Sequence, residues 1–210
     1  MKTTTGSTGD DANVPPSEAV RRIRTKLDLL RAMDHGLHVF GASSGHSYQE
    51  APALDDAGLH QLEGTLGVLL PDELRYFLGA VHGGGPGPGY GLRIDATSAC
   101  PKLACRPFPY DNQATAEFLV RKGTDEPALL PLTIEADLDD DWPPRWGFLG
   151  LVHLGSDIYS GIVVAGEQRG LIWTCGDIGW VPEAKCNRQL GFFEWYETWL
   201  DKGLAQLGHR

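Results

Sequence analysis

The sequence predicts an α+β fold, on two observations. Residues 70–92 carry an apolar stripe of helical spacing, at Leu74, Phe77 and Val81, that runs into a glycine-rich loop. Residues 147–202 instead alternate short apolar segments with glycine-containing turns and end in an aromatic helix, which is typical of a small antiparallel meander closed by a helix. Neither segment contains a recognisable set of catalytic residues. We therefore expect a protein that presents a surface rather than one that catalyses a reaction.

The N-terminal part is predicted to contain a tail, a helix and a linker. Residues 1–16 are rich in Thr, Gly, Asp and Pro and have few apolar side chains to bury, so we expect them to be disordered. Ser17 is a candidate N-cap for a helix that continues to about Asp34. Residues 36–53 contain Gly, Ser and Pro and read as a linker. The apolar face of the helix consists of Val20, Ile23, Leu27 and Leu30.

The rest of the chain supplies the other elements of the α+β fold. A helix is expected from Asp55 or Asp56, and Pro71 is expected to open the next one. Residues 112–121 allow a short helix. The predicted strands are residues 149–154, 159–165 and 171–174. The final helix has a predicted buried stripe of Phe192, Trp195, Tyr196, Trp199 and Leu200.

Charge and hydropathy exclude several classes of protein. The formal net charge is −10, which disfavours a nucleic-acid partner because phosphate binding needs clustered Lys and Arg. No stretch reaches the roughly 18 apolar residues that span a bilayer. The N-terminus lacks the apolar core of a secretory signal, so we expect a cytoplasmic protein with no membrane partner.

The cysteines do not predict a metal site. Their spacing lacks the tight C-x2-C pair of a zinc knuckle, and four cysteines in 210 residues do not make a disulfide scaffold. We expect no metal and no cofactor. A nucleophilic cysteine paired with His82 or His153 remains open as an alternative, because such pairs meet in space rather than in sequence. The four cysteines are Cys100, Cys105, Cys175 and Cys186.

The glycine-rich loop at residues 83–91 does not predict a phosphate site. A P-loop follows a strand and ends in Gly-Lys-Ser/Thr, whereas this loop follows a helix and ends in Gly-Tyr-Gly. We expect it to be a rigid connection between helix and sheet.

The candidate contact residues lie in an acidic segment. Residues 123–144 hold seven acids and no Lys or Arg, which indicates either a docking patch for a basic partner or a solvated loop. Tryptophans beside Pro or Gly, such as Trp180, either anchor a partner or pack against the sheet. The candidate partner-binding residues are Glu135, Asp137, Asp139, Asp140, Asp141, Trp142 and Trp146.

Several motifs, in this order, resemble the SUKH superfamily, which includes a fungal cell-wall-synthesis regulator and many bacterial immunity proteins. The likeness covers about residues 54–204. The motifs are Leu70-Pro71-Asp72-Glu73-Leu74 with Phe77-Leu78 and Gly83-Gly84, Tyr90-Gly91-Leu92, Pro107-Phe108-Pro109, Ile162-Val163-Val164 through Gly166 and Gly170 to Ile172-Trp173, and Phe193-x-Trp195-Tyr196-x-x-Trp199-Leu200. Where the family often has a Gly-Cys-Gly-like start to the meander, this chain has Leu154-Gly155-Ser156-Asp157.

The resemblance implies a single α+β domain over residues 54–210, with a central, mostly antiparallel sheet flanked by helices, preceded by the helix and linker of residues 17–53. It implies no catalytic residues. It also implies a function, which is to bind and neutralise a cognate protein toxin. The alternatives are a regulatory scaffold like the fungal relatives and a hydrolase that uses Cys and His.

Overall fold

The computed structural model describes residues 15–94, 104–121, 146–176 and 179–208, and its architecture is α+β as the sequence predicts. Every predicted helix is present. The α-helices are α1 (Pro16–Met33), α2 (Asp56–Leu66), α3 (Asp72–Ala80), α4 (Asn112–Arg121) and α5 (Phe192–Gly208), and a π-helical segment spans Ala42–His46. Within the described ranges, no helix combines the length and apolar character that crossing a bilayer requires.

The strands form an antiparallel four-stranded sheet in the order β1-β2-β3-β4, followed by a two-stranded hairpin. The predicted meander corresponds to β1, β2 and β3. The sequence pattern does not predict β4, because its four residues, Gly-Trp-Val-Pro, have the composition of a turn. The strands are β1 (Phe148–Gly155), β2 (Ile158–Val163), β3 (Ile172–Gly176), β4 (Gly179–Pro182), β5 (Ala184–Lys185) and β6 (Arg188–Gln189).

The start of α1 differs from the prediction. The N-cap is Pro15 rather than Ser17, and no side chain caps the helix. Pro16 fits the first turn because its fixed φ is helical and the N–H that it lacks would have no intrahelical partner there. The rest of the predicted tail lies outside the described residues.

The helix face of the sheet is covered by α1, α3 and α5, and it forms the larger apolar core. Ile162 of β2 and Ile172 of β3 are fully buried there. Ile23 of α1, Phe77 of α3 and Tyr196 of α5 complete the same core with no exposed surface. The apolar stripes predicted for these helices therefore face the core, although Val20 and Trp199 are only partly buried.

The segment predicted as a linker is folded into this core. At its start, the carboxylate of Asp34 accepts hydrogen bonds from the backbone N–H groups of His38 (2.7 Å) and Val39 (3.0 Å). It also accepts one from the Tyr48 hydroxyl at 2.9 Å. These bonds satisfy a carboxylate that is only 1% exposed, and they fix the path of the chain from α1 to the π-helical segment.

The second face of the sheet carries a separate aromatic cluster. Phe108 and Tyr110, which precede α4, cover Trp173 of β3 and Trp180 of β4. Both tryptophans are fully buried, so Trp180 packs against the sheet and the alternative role as an exposed anchor is wrong for it. Trp195 is also buried, in the core of the helix face.

Candidate binding groove

The acidic contact site that the sequence predicts is mostly untested by the structure. Glu135, Asp137, Asp139, Asp140, Asp141 and Trp142 lie outside the described residues. Trp146 is half-buried immediately before β1, and the guanidinium carbon of Arg106 lies 4.8 Å from the centroid of its ring. This arrangement is a cation–π contact within the chain, so Trp146 already has a partner on one face.

A groove does exist elsewhere, where the glycine-rich loop meets the sheet. After α3, the chain returns to the edge of β1, where the backbone N–H of Tyr90 donates to the His153 carbonyl at 3.0 Å. The N–H of Arg93 donates to the Leu151 carbonyl at 2.8 Å. The prediction that this loop connects helix to sheet is confirmed.

Two glycines allow this loop to lie directly against β1 on one side and against the π-helical segment on the other. Gly89 has φ +58°, and a Cβ there would collide with the carbonyl group of His153. A Cβ on Gly45 would collide with the backbone of Tyr90. Glycine is therefore needed at both positions, because the backbones touch directly.

The groove consists of two connected cavities, which we together call the edge groove. The wider cavity has a volume of about 650 Å³ and lies over β1 and its turn into β2. The narrower one has a volume of about 300 Å³ and lies between the π-helical segment and the glycine-rich loop. Gly45, Tyr90 and Arg93 line both cavities, so the two form one continuous depression.

Four rings form a continuous line that we call the aromatic row, in which Tyr90, His153 and Tyr159 line the edge groove and Phe40 lies beside it. The ring of Phe40 lies 5.5 Å from that of Tyr90, and Tyr90 stacks on His153 at 5.6 Å. His153 in turn lies 4.8 Å from Tyr159. Phe40 is 59% exposed, so this end of the row presents an aromatic surface to solvent. Tyrosine, which supplies two of the four rings, is enriched among the residues that dominate protein interfaces.

The wider cavity exists because one position of β1 has no side chain. No described atom lies within 4 Å of the point where a Cβ on Gly150 would stand. Phe148 and Tyr159 also line this cavity. The edge groove therefore offers bare backbone flanked by rings, which suits an apolar group of a ligand.

Two side chains that line the narrower cavity, those of His46 and Arg93, carry hydrogen-bond donors without an acceptor among the described residues. Nδ1 of His46 accepts a hydrogen bond from the Tyr48 N–H at 3.0 Å, so the proton of the neutral ring is on Nε2. Nε2 is buried and has no acceptor among the described residues. Burial lowers the pKa of His46 to about 4, so the ring is neutral at physiological pH. Arg93 is exposed and makes no ion pair with the described part of the chain.

Glu50 is the only described carboxylate that lines the narrower cavity, and arginine side chains balance its negative charge. Glu50 accepts from Arg24 at 2.5 Å and from Arg31, and both arginines project from α1. Burial alone would raise the pKa of Glu50, but the hydrogen bonds from the two arginines hold it below its ordinary value. Glu50 is therefore ionised and fully engaged.

A pair formed by His153 and Cys175 does not fit the strand register. His153 is paired with Tyr159 across β1 and β2, and Tyr159 is paired with Cys175 across β2 and β3. Strands lie about 4.8 Å apart, so His153 and Cys175 are roughly 10 Å apart with a tyrosine between them. A nucleophile and its base need a separation of about 3 Å. Nε2 of His153 instead donates to the Ser156 carbonyl at 2.5 Å.

The other candidate base, His82, lies in the core of the helix face. Its ring contacts Phe77, and its Nε2 lies 3.2 Å from the hydroxyl oxygen of Tyr196. That hydroxyl donates to the Pro86 carbonyl at 2.7 Å, so His82 is the donor to Tyr196. Cys175 belongs to the cluster on the opposite face of the sheet, so His82 does not reach it.

The described cysteines are dispersed. Cys105 and Cys186 are exposed, Cys175 is buried in β3, and Cys100 lies outside the described residues. Within the part of the chain that the structure describes, no three His, Cys, Asp or Glu side chains are grouped so that they could hold a metal ion.

Comparison with models of known protein families and with curated proteins found no match to this chain.

Proposed function

We propose that this chain is a non-enzymatic binding protein that neutralises a cognate protein toxin by covering part of the toxin's surface. The motifs that resemble the SUKH superfamily supply the expected class of partner. The observation that carries the proposal is the aromatic row, which borders an open groove and ends in an exposed Phe40.

The chemistry of the edge groove supports binding over catalysis. Of the two histidines that line it, His153 donates to a backbone carbonyl and stacks on Tyr90, and His46 accepts from the backbone N–H of Tyr48, so both are held in place by the fold. Rings already fixed in position lose little conformational entropy when a partner covers them, which is why Tyr and Trp contribute strongly to interfaces. A groove of this kind gives a partner apolar surface and a few directional hydrogen bonds, which together provide affinity and specificity.

The test uses the gene next to the one that encodes this chain, because immunity proteins are made together with their toxins. We expect that gene to encode a large protein whose last domain kills a bacterial host when expressed alone. Co-expression of this chain should restore growth, and the two purified proteins should form a complex.

A matched pair of substitutions then locates the contact face. Gly150→Leu places a side chain in open space in the edge groove, and Gly64→Leu does the same on the exposed surface of α2. We expect Gly150→Leu to weaken the complex at least about tenfold, since a filled groove excludes the partner. Gly64→Leu should bind and protect like the native chain. Equal protection by both variants would show that the groove is not part of the interface. If the product of the adjacent gene does not kill the host, the proposed function is wrong.

A further inference from the structure

The second face of the sheet contains a pair of glycines whose surroundings differ. Gly150 of β1 lies directly opposite Gly161 of β2. The ring of Phe148 covers Gly161, because a Cβ on that glycine would stand 2.6 Å from Cζ of the ring. At Gly150, apart from its two neighbours in the chain, no described atom lies within 4 Å of the corresponding point. One glycine therefore has an aromatic ring over its backbone, and the other opens into the wider cavity.

An uncovered glycine in a strand weakens a sheet locally, because it has no side chain to pack against its neighbours. Such glycines often mark a place where a ligand or another chain comes near. Glycines near a sheet edge are commonly stabilised by an aromatic ring that packs over them. Phe148 does this for Gly161, whereas Gly150, which lies in the edge strand β1, has no such ring among the described residues.

The walls of the wider cavity suit an aromatic group. Tyr90 and Tyr159 both line it, and their hydroxyl groups have no hydrogen-bond partner among the described residues. No described carboxylate lines it, so a cationic group would find no counter-charge there. Its volume of about 650 Å³ lies within the range of roughly 300–1,000 Å³ that is usual for ligand pockets.

We infer that the toxin partner places an aromatic side chain in the wider cavity, over Gly150 and against the ring of Tyr159. This inference rests on the proposed function and names the group by which the partner is held. The ring repeats at Gly150 the arrangement that Phe148 makes at Gly161. The free hydroxyls of Tyr90 and Tyr159 donate to backbone carbonyls beside the inserted residue. An aromatic side chain seated in a pocket is a common centre of a tight interface.

A second copy of this chain is the competing source of a ring, because Phe40 is 59% exposed beside the cavity. Charge favours the toxin over the second copy. Each copy carries a formal net charge of −10, so two copies repel each other, whereas a basic partner is attracted.

The experiment needs no partner. The full chain, labelled with ¹⁵N, is titrated with N-acetylphenylalanine amide and separately with N-acetylleucine amide, which is also neutral and apolar but has no ring. We expect the aromatic probe to shift the backbone signals of Gly150 and Tyr159. It should bind about threefold to tenfold more tightly than the aliphatic probe, because ring–ring contacts contribute beyond the area that they bury.

A matched pair of substitutions tests the assigned wall. Tyr159→Leu keeps an apolar side chain and removes the ring, so the preference for the aromatic probe should fall below about twofold. Tyr76→Leu is the control, because Tyr76 is 42% exposed on α3 and lines neither cavity. It should keep the preference of the native chain. Gly150→Leu should abolish the shifts caused by both probes, and its urea denaturation shows whether it is folded.

Three results would overturn the inference. They are equal affinity for the two probes, shifts confined to residues away from the wider cavity, and an unchanged aromatic preference in Tyr159→Leu. A Gly150 signal that moves with protein concentration when no probe is present would also contradict it, because a second copy would then fill the cavity.

This inference and the proposed function can fail separately. If the product of the adjacent gene does not kill the host but the aromatic probe binds selectively over Gly150, the aromatic site stands and the toxin is the wrong partner. If the chain neutralises the toxin through the edge groove but the two probes bind equally, the proposed function stands and the aromatic anchor is wrong.

Discussion

The two faces of the sheet differ in how completely the chain covers them. On the helix face, Phe77 and Tyr196 are fully buried, and the hydroxyl of Tyr196 is bonded both to His82 and to the Pro86 carbonyl. On the second face, the aromatic cluster reaches the edge groove through Phe148 and Tyr159, but Gly150 leaves open space beside them, and Phe40 at the end of the aromatic row is exposed. The comparison separates residues that hold the fold together from residues that remain available to a partner.

We call the helix face the closed side and the edge groove with Phe40 the open side. The largest expected effect tests the closed side. Phe77→Ala removes a ring that contacts His82, Phe192 and Tyr196, and it should lower the free energy of unfolding by about 3–5 kcal/mol. Phe40→Ala is the matched substitution on the open side, and it should cost less than about 1 kcal/mol. Urea denaturation followed by tryptophan fluorescence measures both. Similar losses from the two variants would mean that the two sides do not differ as described.

The closed side should also make the protein sensitive to mild acid. Burial lowers the pKa of His82 to about 4, whereas an exposed histidine in the unfolded chain has a pKa of about 6.5. Between pH 6.5 and pH 4 the His82 ring is therefore protonated in the unfolded chain but stays neutral in the folded chain. The free energy of unfolding falls as the pH is lowered through this range. Between pH 7 and pH 5 the loss should be about 2 kcal/mol for His82, with a similar loss from His46.

A substitution isolates the contribution of His82. His82→Phe keeps an aromatic ring against Phe77 and removes the titrating group. Its stability at pH 7 should be lower by about 1 kcal/mol because the bond to Tyr196 is lost. Its further loss down to pH 5 should be smaller than that of the native chain by about 2 kcal/mol. Parallel pH profiles for the two proteins would show that His82 is not the group responsible.

The sequence predicts most of the closed side, because periodicity reports burial directly. The spacing of Ile23, Leu27 and Leu30 in α1, and of Leu74 and Phe77 in α3, is the spacing of a helix with one face in a core. All of these residues are buried. The pattern does not predict the cap of α1 or the strand β4, because proline and glycine occur in turns as well as at helix ends and within strands.

The edge groove is harder to predict, since its residues come from distant parts of the chain. Phe40 belongs to the segment read as a linker, Tyr90 to the glycine-rich loop, and His153 and Tyr159 to two strands. Each is an ordinary residue in its local pattern, and only strand register and the close approach of backbones bring the rings together. The signal present in the sequence is Gly150, an isolated glycine within a strand, which often marks a place where a ligand or another backbone comes near.

The smallest expected effect on stability separates the edge groove from the acidic segment that precedes β1 in the chain. Changing Asp137, Asp139, Asp140 and Asp141 to Asn removes four negative charges from an acidic stretch of the sequence, and we expect it to alter the free energy of unfolding by less than about 0.5 kcal/mol. If the partner is basic, association should slow by about threefold to tenfold at low salt, while dissociation changes little. The Gly150→Leu variant should do the opposite and act mainly on dissociation.

Salt and a second variant decide whether the acidic segment itself is responsible. The difference from the native chain should disappear as the ionic strength rises, because the screening length shortens from about 10 Å at 0.1 M salt to about 3 Å at 1 M. The control removes four charges that are spread over exposed positions of the helices, at Glu18, Asp28, Asp72 and Glu117. It has the same net charge as the Asn variant, so a response to net charge alone would slow both equally. A clustered patch that steers the partner would slow association only when the four aspartates are changed. Equal association rates for the native chain and the Asn variant would make the acidic segment a solvated loop and leave the edge groove as the proposed contact face.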